Sequence, residues 1–256
     1  MGGFYVVIAL CMALLCGGCG SSGESDTSTA ARQQGKKDQL VSEAAPFEAA
    51  RQSKVVLAQV VQDDSQTVAQ LRELLGAAAQ EIGGFWAVEV PKFYGQGYDG
   101  PRYVAGVDPS AGSVVCGGEP TPIEGNAFFC RPDNFIAWDE LTLMLPLFKG
   151  SPLAPVFVLA HEWGHSIQEQ LQVPYQHTID SELDADCLAG VWAADAFRRG
   201  KLTREDFDRA VDVLHDFQDA DGVPWTDAEA HGTAFERIRA FGHGVDNGPY
   251  GCIRPA

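Results

Sequence analysis

The chain has 256 residues, 45% of them apolar and 10% aromatic, enough for one medium domain with a real core or at most two small ones. Its 35 acids against 18 bases give a formal charge of -17, which argues against a nucleic-acid partner, since that class needs a basic footprint. The charge favours solubility and carries no information about fold.

The first 19 residues, MGGFYVVIALCMALLCGGC, contain no charged side chain. Their apolar stretch, Phe4–Leu15, is short for a bilayer span and suits the h-region of a signal peptide, although no Lys or Arg stands near Met1. Gly17-Gly18-Cys19 then resembles a bacterial lipobox, with Cys16 where leucine is usual. The expectation is an exported protein of the cell envelope, held at the outer face of a bacterial membrane only by a lipid on Cys19. Ordinary secretion and an uncleaved anchor are the alternatives. Residues 20–50, rich in Ser, Gly, Thr, Gln and Ala, read as a flexible tether, which leaves 51–256 for a single domain.

Beyond the leader four cysteines remain, an even number that fits two disulfides in an exported protein. Cys116 and Cys130 flank a Gly/Pro-rich loop and form the natural local pair. Cys187 and Cys252 follow by elimination, unless Cys187 is a buried free thiol on a helix.

Spaced apolar residues predict a helix over about 53–82. Residues 84–110, with many Gly, Pro and aromatics, predict short strands and turns. "AFFC" and "NFIAWD", separated by the turn Arg131-Pro132-Asp133, predict a hairpin. "NFIAWD" is either an edge strand able to pair with an extended peptide or, if central, a plain core strand. Helices are predicted over 154–172, about 180–197, from the N-cap Thr203 through "REDFDRAVDVLHDF", and about 227–241. Helices gathered around a small antiparallel sheet make a mainly helical α+β domain.

The chemistry lies in "HEWGH". His161 and His165 are one helical turn apart and share a face, so two imidazoles can converge on one ion. Glu162 is rotated off that axis, placed for a general base rather than a ligand. A zinc hydrolase needs a third protein ligand. The metzincin position, six residues after His165, is Leu171, and His177 belongs to a loop as a surface residue. "SELDADCLAG" offers better. Glu182 begins a second helix and is assigned to the metal. Asp186, one turn on, is assigned to the ring N–H of His161. Asp184 should point elsewhere as a solvated acid. "DFQDADG" fails as an EF-hand, because Phe217 and Ala228 stand where acids are needed.

The strings "CGG…NAFFC…NFIAWD", "HEWGHSIQ", "SELDADCLAGVWA" and "HGTAFERIRAF" together resemble the bacterial putative neutral zinc metallopeptidase family over roughly residues 85–256. That resemblance implies a zincin-like domain of the gluzincin type, with a glutamate as third ligand. It also implies that His161, His165 and Glu182 bind zinc and that Glu162 is catalytic. Relatives often carry Gln where Asp184 stands, which does not touch the ligands. His231, in "HGT", either donates to a developing oxyanion or is a structural element before the last helix.

The expected activity is hydrolysis of a peptide or protein substrate through metal-activated water. The competing readings are an envelope lipoprotein whose zinc is structural, with a fourth protein ligand, and a hydrolase of non-peptide amides with a small closed pocket.

Overall fold

A computed structural model describes residues 65–253, all within one unit, Glu43–Ala256. The leader, Cys19 and the tether lie outside the described residues. Among the described residues no helix is long and apolar enough to cross a membrane.

The first described helix, α1 (Ser65–Tyr94), runs much further than its apolar pattern predicts. Val68, Leu71, Leu75, Ile82, Trp86 and Val90 recur at helical spacing and are all buried, so the core-facing stripe continues through the segment predicted as strands and turns. Pro91 falls in the last turn, where the helix is ending anyway, and Gly95 closes it by donating to the Pro91 carbonyl.

Five short strands follow. β1 (Val104–Val107), β4 (Ala127–Cys130) and β5 (Phe135–Asp139) form a sheet of order β1-β5-β4, while β2 (Val114–Cys116) and β3 (Glu119–Thr121) form a separate antiparallel pair. The predicted hairpin is β4–β5, antiparallel, with Asn134 in the left-handed region at its turn. The main sheet is mixed rather than wholly antiparallel, because β1 enters parallel to β5. "NFIAWD" is therefore a core strand. β5 is central and buried along its whole length, and β4 is left at the edge.

Asp139 ends β5 by accepting the amides of Leu141 and Thr142, which starts a π-helical turn (Glu140–Met144) leading into α2 (Leu145–Gly150). Arg72 of α1 clamps this turn by two bonds to buried Glu140, 2.6 and 2.8 Å.

The second half is helical: α3 (Ala154–Leu171), α4 (Thr178–Arg198), α5 (Arg204–Asp216), α6 (Ala234–Asn247) and α7 (Pro249–Cys252). Thr203 caps α5, as the sequence suggests, and does so in a capping box with Asp206. α6 starts seven residues later than predicted. Asp219 draws the amides of His231 and Gly232 into a loop, and Thr233 with Glu236 caps the helix only after it. α4 and α6 cross so closely that a Cβ on Gly244 would meet the Cys187 carbonyl. Disulfides join Cys116 to Cys130, tying β2 to β4, and Cys187 to Cys252, tying α4 to α7.

Candidate metal centre and active site

The α3 helix is buried along most of its length, and both motif histidines lie on the side that meets α4. Gly164, between them, sits where α3 crosses α4. An added Cβ would stand 2.8 Å from the Cα and carbonyl oxygen of Ala185. That missing side chain lets the helices approach until Glu182 reaches the histidine pair. Gly164→Ala is expected to push α4 away, to cost about 1–3 kcal/mol of overpacking and to weaken zinc binding. Thermal melts and a competitive zinc titration would check both. Unchanged values would mean that the crossing can relax freely.

The three donors lie close together. His161 Nε2 is 3.1 Å from Glu182 Oε2, His165 Nε2 is 3.3 Å from Glu182 Oε1, and the two Nε2 atoms are 3.2 Å apart. A tetrahedral zinc with bonds of 2.0–2.1 Å sets its ligand atoms about 3.3 Å apart. The donor set therefore fits that ion in type and spacing.

The ring nitrogens facing away are engaged. Nδ1 of His161 donates to Asp186 Oδ1 at 2.7 Å, and Nδ1 of His165 donates to Gln168 Oε1 at 3.0 Å. Each bond holds its ring with Nε2 aimed at the shared point, where a bound zinc would displace the proton that otherwise pairs that nitrogen with Glu182. Gln168 is itself held from α4, donating to the Ser181 carbonyl and accepting from the Ser181 hydroxyl. Asp186 is fully buried and is gripped by Arg237 of α6 through two bonds, 2.8 and 2.9 Å, while the same guanidinium donates to the Phe217 carbonyl.

Gln168, Ser181 and Arg237 carry no recognisable metal-site spacing. Arg237 is 51 residues from Asp186, a separation that only the fold can close.

The electrostatics follow from this packing. Burial alone would raise Glu182, yet hydrogen bonds from His161 and His165 hold its carboxyl well below the ordinary range. Burial likewise opposes ionisation of Asp186, and His161 and Arg237 overcome it, so its pKa is lowered. Burial would lower His161, but Asp186 and then Glu182 outweigh it and raise the ring to about 10. Glu162 differs from the other acids here. Burial pushes its pKa up, with the two histidines and the Phe129 amide of β4 pulling the other way. A carboxyl raised in this manner suits proton transfer near neutral pH.

These groups open into a cavity of about 920 Å³. The β4 edge forms one wall, through Ala127 to Phe129, and Phe157, Val158, Leu214 and Phe241 supply an apolar side. His231 lines the cavity too. Its ring is half exposed, 3.6 Å from Asp219, and its amide donates to the same carboxylate. His177 is exposed on the rim as the residue before α4, in keeping with a surface role.

Asp184 points away from the metal donors but is not a freely solvated acid. It is half-buried and accepts from the Tyr175 hydroxyl at 2.9 Å. Burial raises its pKa to about 6 and Asp180 adds to the rise, while the Tyr175 bond only partly offsets them. A carboxyl raised on folding stabilises the fold when protonated, and that contribution is lost as pH climbs from about 4 to about 6. Asp184→Asn keeps an acceptor for Tyr175 and removes the loss. The variant is expected to be more stable at pH 7 by about 1 kcal/mol, a figure discounted for partial exposure. Its urea midpoint should also vary less between pH 4 and 6 than that of wild type. A less stable variant at pH 7 would contradict the assignment.

Residues 113–252, more than half of the chain, match the family described as putative neutral zinc metallopeptidase. An uncharacterized protein of Mycobacterium tuberculosis is 33% identical over 97 residues, covering 32% of this chain and 33% of the relative. The uncharacterized protein YpfJ of Escherichia coli K12 is 28% identical over 145 residues, covering 47% of this chain and 50% of the relative. The chain thus spans a third to a half of the length of these relatives. No solved structure matches it significantly.

Proposed function

The chain belongs to the putative neutral zinc metallopeptidase family, and on that premise we propose that it is a peptidase with Glu162 as general base. His161, His165 and Glu182 would hold the zinc. The observation that carries the reading is the meeting of those three donors at 3.1–3.3 Å, each histidine oriented by a bond to its other nitrogen. Zinc bound there would polarise the scissile carbonyl and lower the pKa of water into the neutral range.

The chain's own residues do the rest. Glu162, buried beside the donors, takes the proton from the attacking water and delivers it to the leaving amine. Asp186 and Gln168 keep both imidazoles in register, and Arg237 keeps Asp186 ionised. The side of β4 that β5 leaves unpaired can take up an extended substrate backbone, and the apolar side of the cavity can accept a side chain next to the scissile bond. His231 lines the same cavity and is the candidate donor to the developing oxyanion.

A structural zinc would need a fourth protein ligand. Among the described residues, the His/Cys/Asp/Glu group around this point consists of His161, His165 and Glu182. That count favours an open position for solvent. A cleft of about 920 Å³ favours peptides over a small amide. Export and lipidation at Cys19 remain part of the proposal. The test is metal analysis together with a peptide-library digest, comparing wild type with Glu162→Gln. Absence of bound zinc from both proteins, or of any cleavage by wild type, would overturn the reading.

A further inference from the structure

The segment between α5 and α6 is closed at its neck and open at its tip. The Asp219 amide donates to the Gly232 carbonyl at 3.0 Å, and the Asp219 carboxylate accepts the amides of His231 and Gly232 at 2.9 and 2.7 Å. Between these points residues 220–229 are all exposed, the arrangement of an Ω-loop with pinned ends. Its base is continuous with the active-site cavity, since Phe217 and His231 line the wall there.

The loop carries large apolar groups into water. Val223 is 39% exposed and Trp225 66%, and Phe235, in the first turn of α6, is 73% exposed. The Trp225 indole lies close enough to Glu236 to lower its carboxyl, which places it beside that same first turn. Exposed apolar groups gathered beside a cleft mark an interaction surface.

Charge narrows the choice of partner. The stretch from Ala210 to Glu236 contains no Lys or Arg, whereas it contains Asp212, Asp216, Asp219, Asp221, Asp227, Glu229 and Glu236. Such a field repels an anionic membrane surface and attracts a cationic chain.

We propose that the 219–232 loop, with Phe235, is a docking surface for polypeptide segments in which large apolar residues alternate with Lys or Arg, leading them into the cleft. The inference rests on the peptidase reading only in taking the docked chain to be the one cleaved. Val223 and Trp225 would bury the apolar side chains, and the surrounding carboxylates would pair with the cationic ones.

Trp225 makes this measurable. The other four tryptophans, Trp86, Trp138, Trp163 and Trp192, are 5% exposed or less, so a shift in emission reports Trp225. The probe is a synthetic peptide alternating Leu and Phe with Lys, titrated into the full Glu162→Gln chain so that binding is read without hydrolysis. The expected result is a blue shift. Affinity should fall about tenfold as ionic strength rises from about 0.01 to about 0.15 M, where the Debye length shortens from about 30 to about 8 Å. The same peptide with Glu for Lys should give no shift.

In the active chain, Trp225→Ser with Phe235→Ser should raise KM for the long cationic peptide about tenfold, the scale of a lost hot spot. Turnover of a short neutral peptide should be unaffected. If that pair disturbs folding, Asp221→Asn with Asp227→Asn must weaken binding several-fold. Unchanged emission with the cationic peptide would overturn the proposal. So would an equal blue shift on adding phosphatidylglycerol or phosphatidylcholine vesicles alone, which would make the loop a membrane contact. A blue shift with this peptide, together with no cleavage of it or of any library peptide by wild type, would sink the peptidase reading and leave the docking surface standing.

Discussion

Glu162→Gln is expected to lower kcat/KM for peptide hydrolysis by about 10²–10⁴-fold, the range for loss of a positioned general base, while zinc content stays at the wild-type level. The two halves of the result have separate causes. Zinc retention follows because Glu162 is not among the three donors that converge, so an amide in its place removes no ligand. Loss of turnover follows because a glutamine side chain cannot accept a proton at neutral pH. The burial that raises Glu162 is what makes it effective, since a carboxyl with an ordinary pKa is a weaker base toward water. Fold is not expected to suffer, because the substitution is isosteric and removes a buried charge rather than creating one. Turnover at wild-type rate by a zinc-loaded Glu162→Gln would remove Glu162 from its role and shift attention to another base in the cavity.

Arg237→Met should destabilise the protein by about 3–5 kcal/mol, because it leaves Asp186 as an uncompensated charge in the interior. Asp186 is wholly buried, and two of the bonds that keep it ionised come from Arg237. Methionine fills comparable space but offers no donor, so the Phe217 carbonyl loses its partner as well. A weakened Asp186 also holds His161 less firmly, and zinc affinity should fall about 10–100-fold, as it does when outer partners of ligands are lost. Urea unfolding and a competitive zinc titration would measure both effects. Arg237→Lys should fall between, since an ammonium keeps the charge but not the two-pronged geometry. A methionine variant as stable as wild type, with equal zinc affinity, would show that His161 needs no support from α6.

How much of this was legible from residues alone varied along the chain. Within α3 everything local was readable: one helical turn between His161 and His165, and Glu162 rotated off their axis. The "SELDAD" acids divided as their spacing suggests. Glu182 meets the histidines, Asp186 takes the His161 ring, and Asp184 turns away. The fold departs from its sequence pattern where local signals compete with packing. Gly, Pro and aromatic residues after position 84 read as turns, yet Trp86 and Val90 fit the core stripe and α1 continued to Tyr94. α6 begins later than its sequence pattern predicts, because Asp219 captures the amides of His231 and Gly232, a contact the sequence does not reveal.

By itself the sequence determined that two histidines stand one helical turn apart, that a glutamate lies between them and which acids are available downstream. Those depend on spacing within single helices, and helical spacing is geometry. Tertiary structure alone decided that Gly164 admits α4, that Gln168 and Ser181 align His165, and that Arg237 comes from 51 residues away to keep Asp186 charged. The physical reason is that a buried ion must be neutralised by whichever element packs against it, and which element that is depends on how the helices cross.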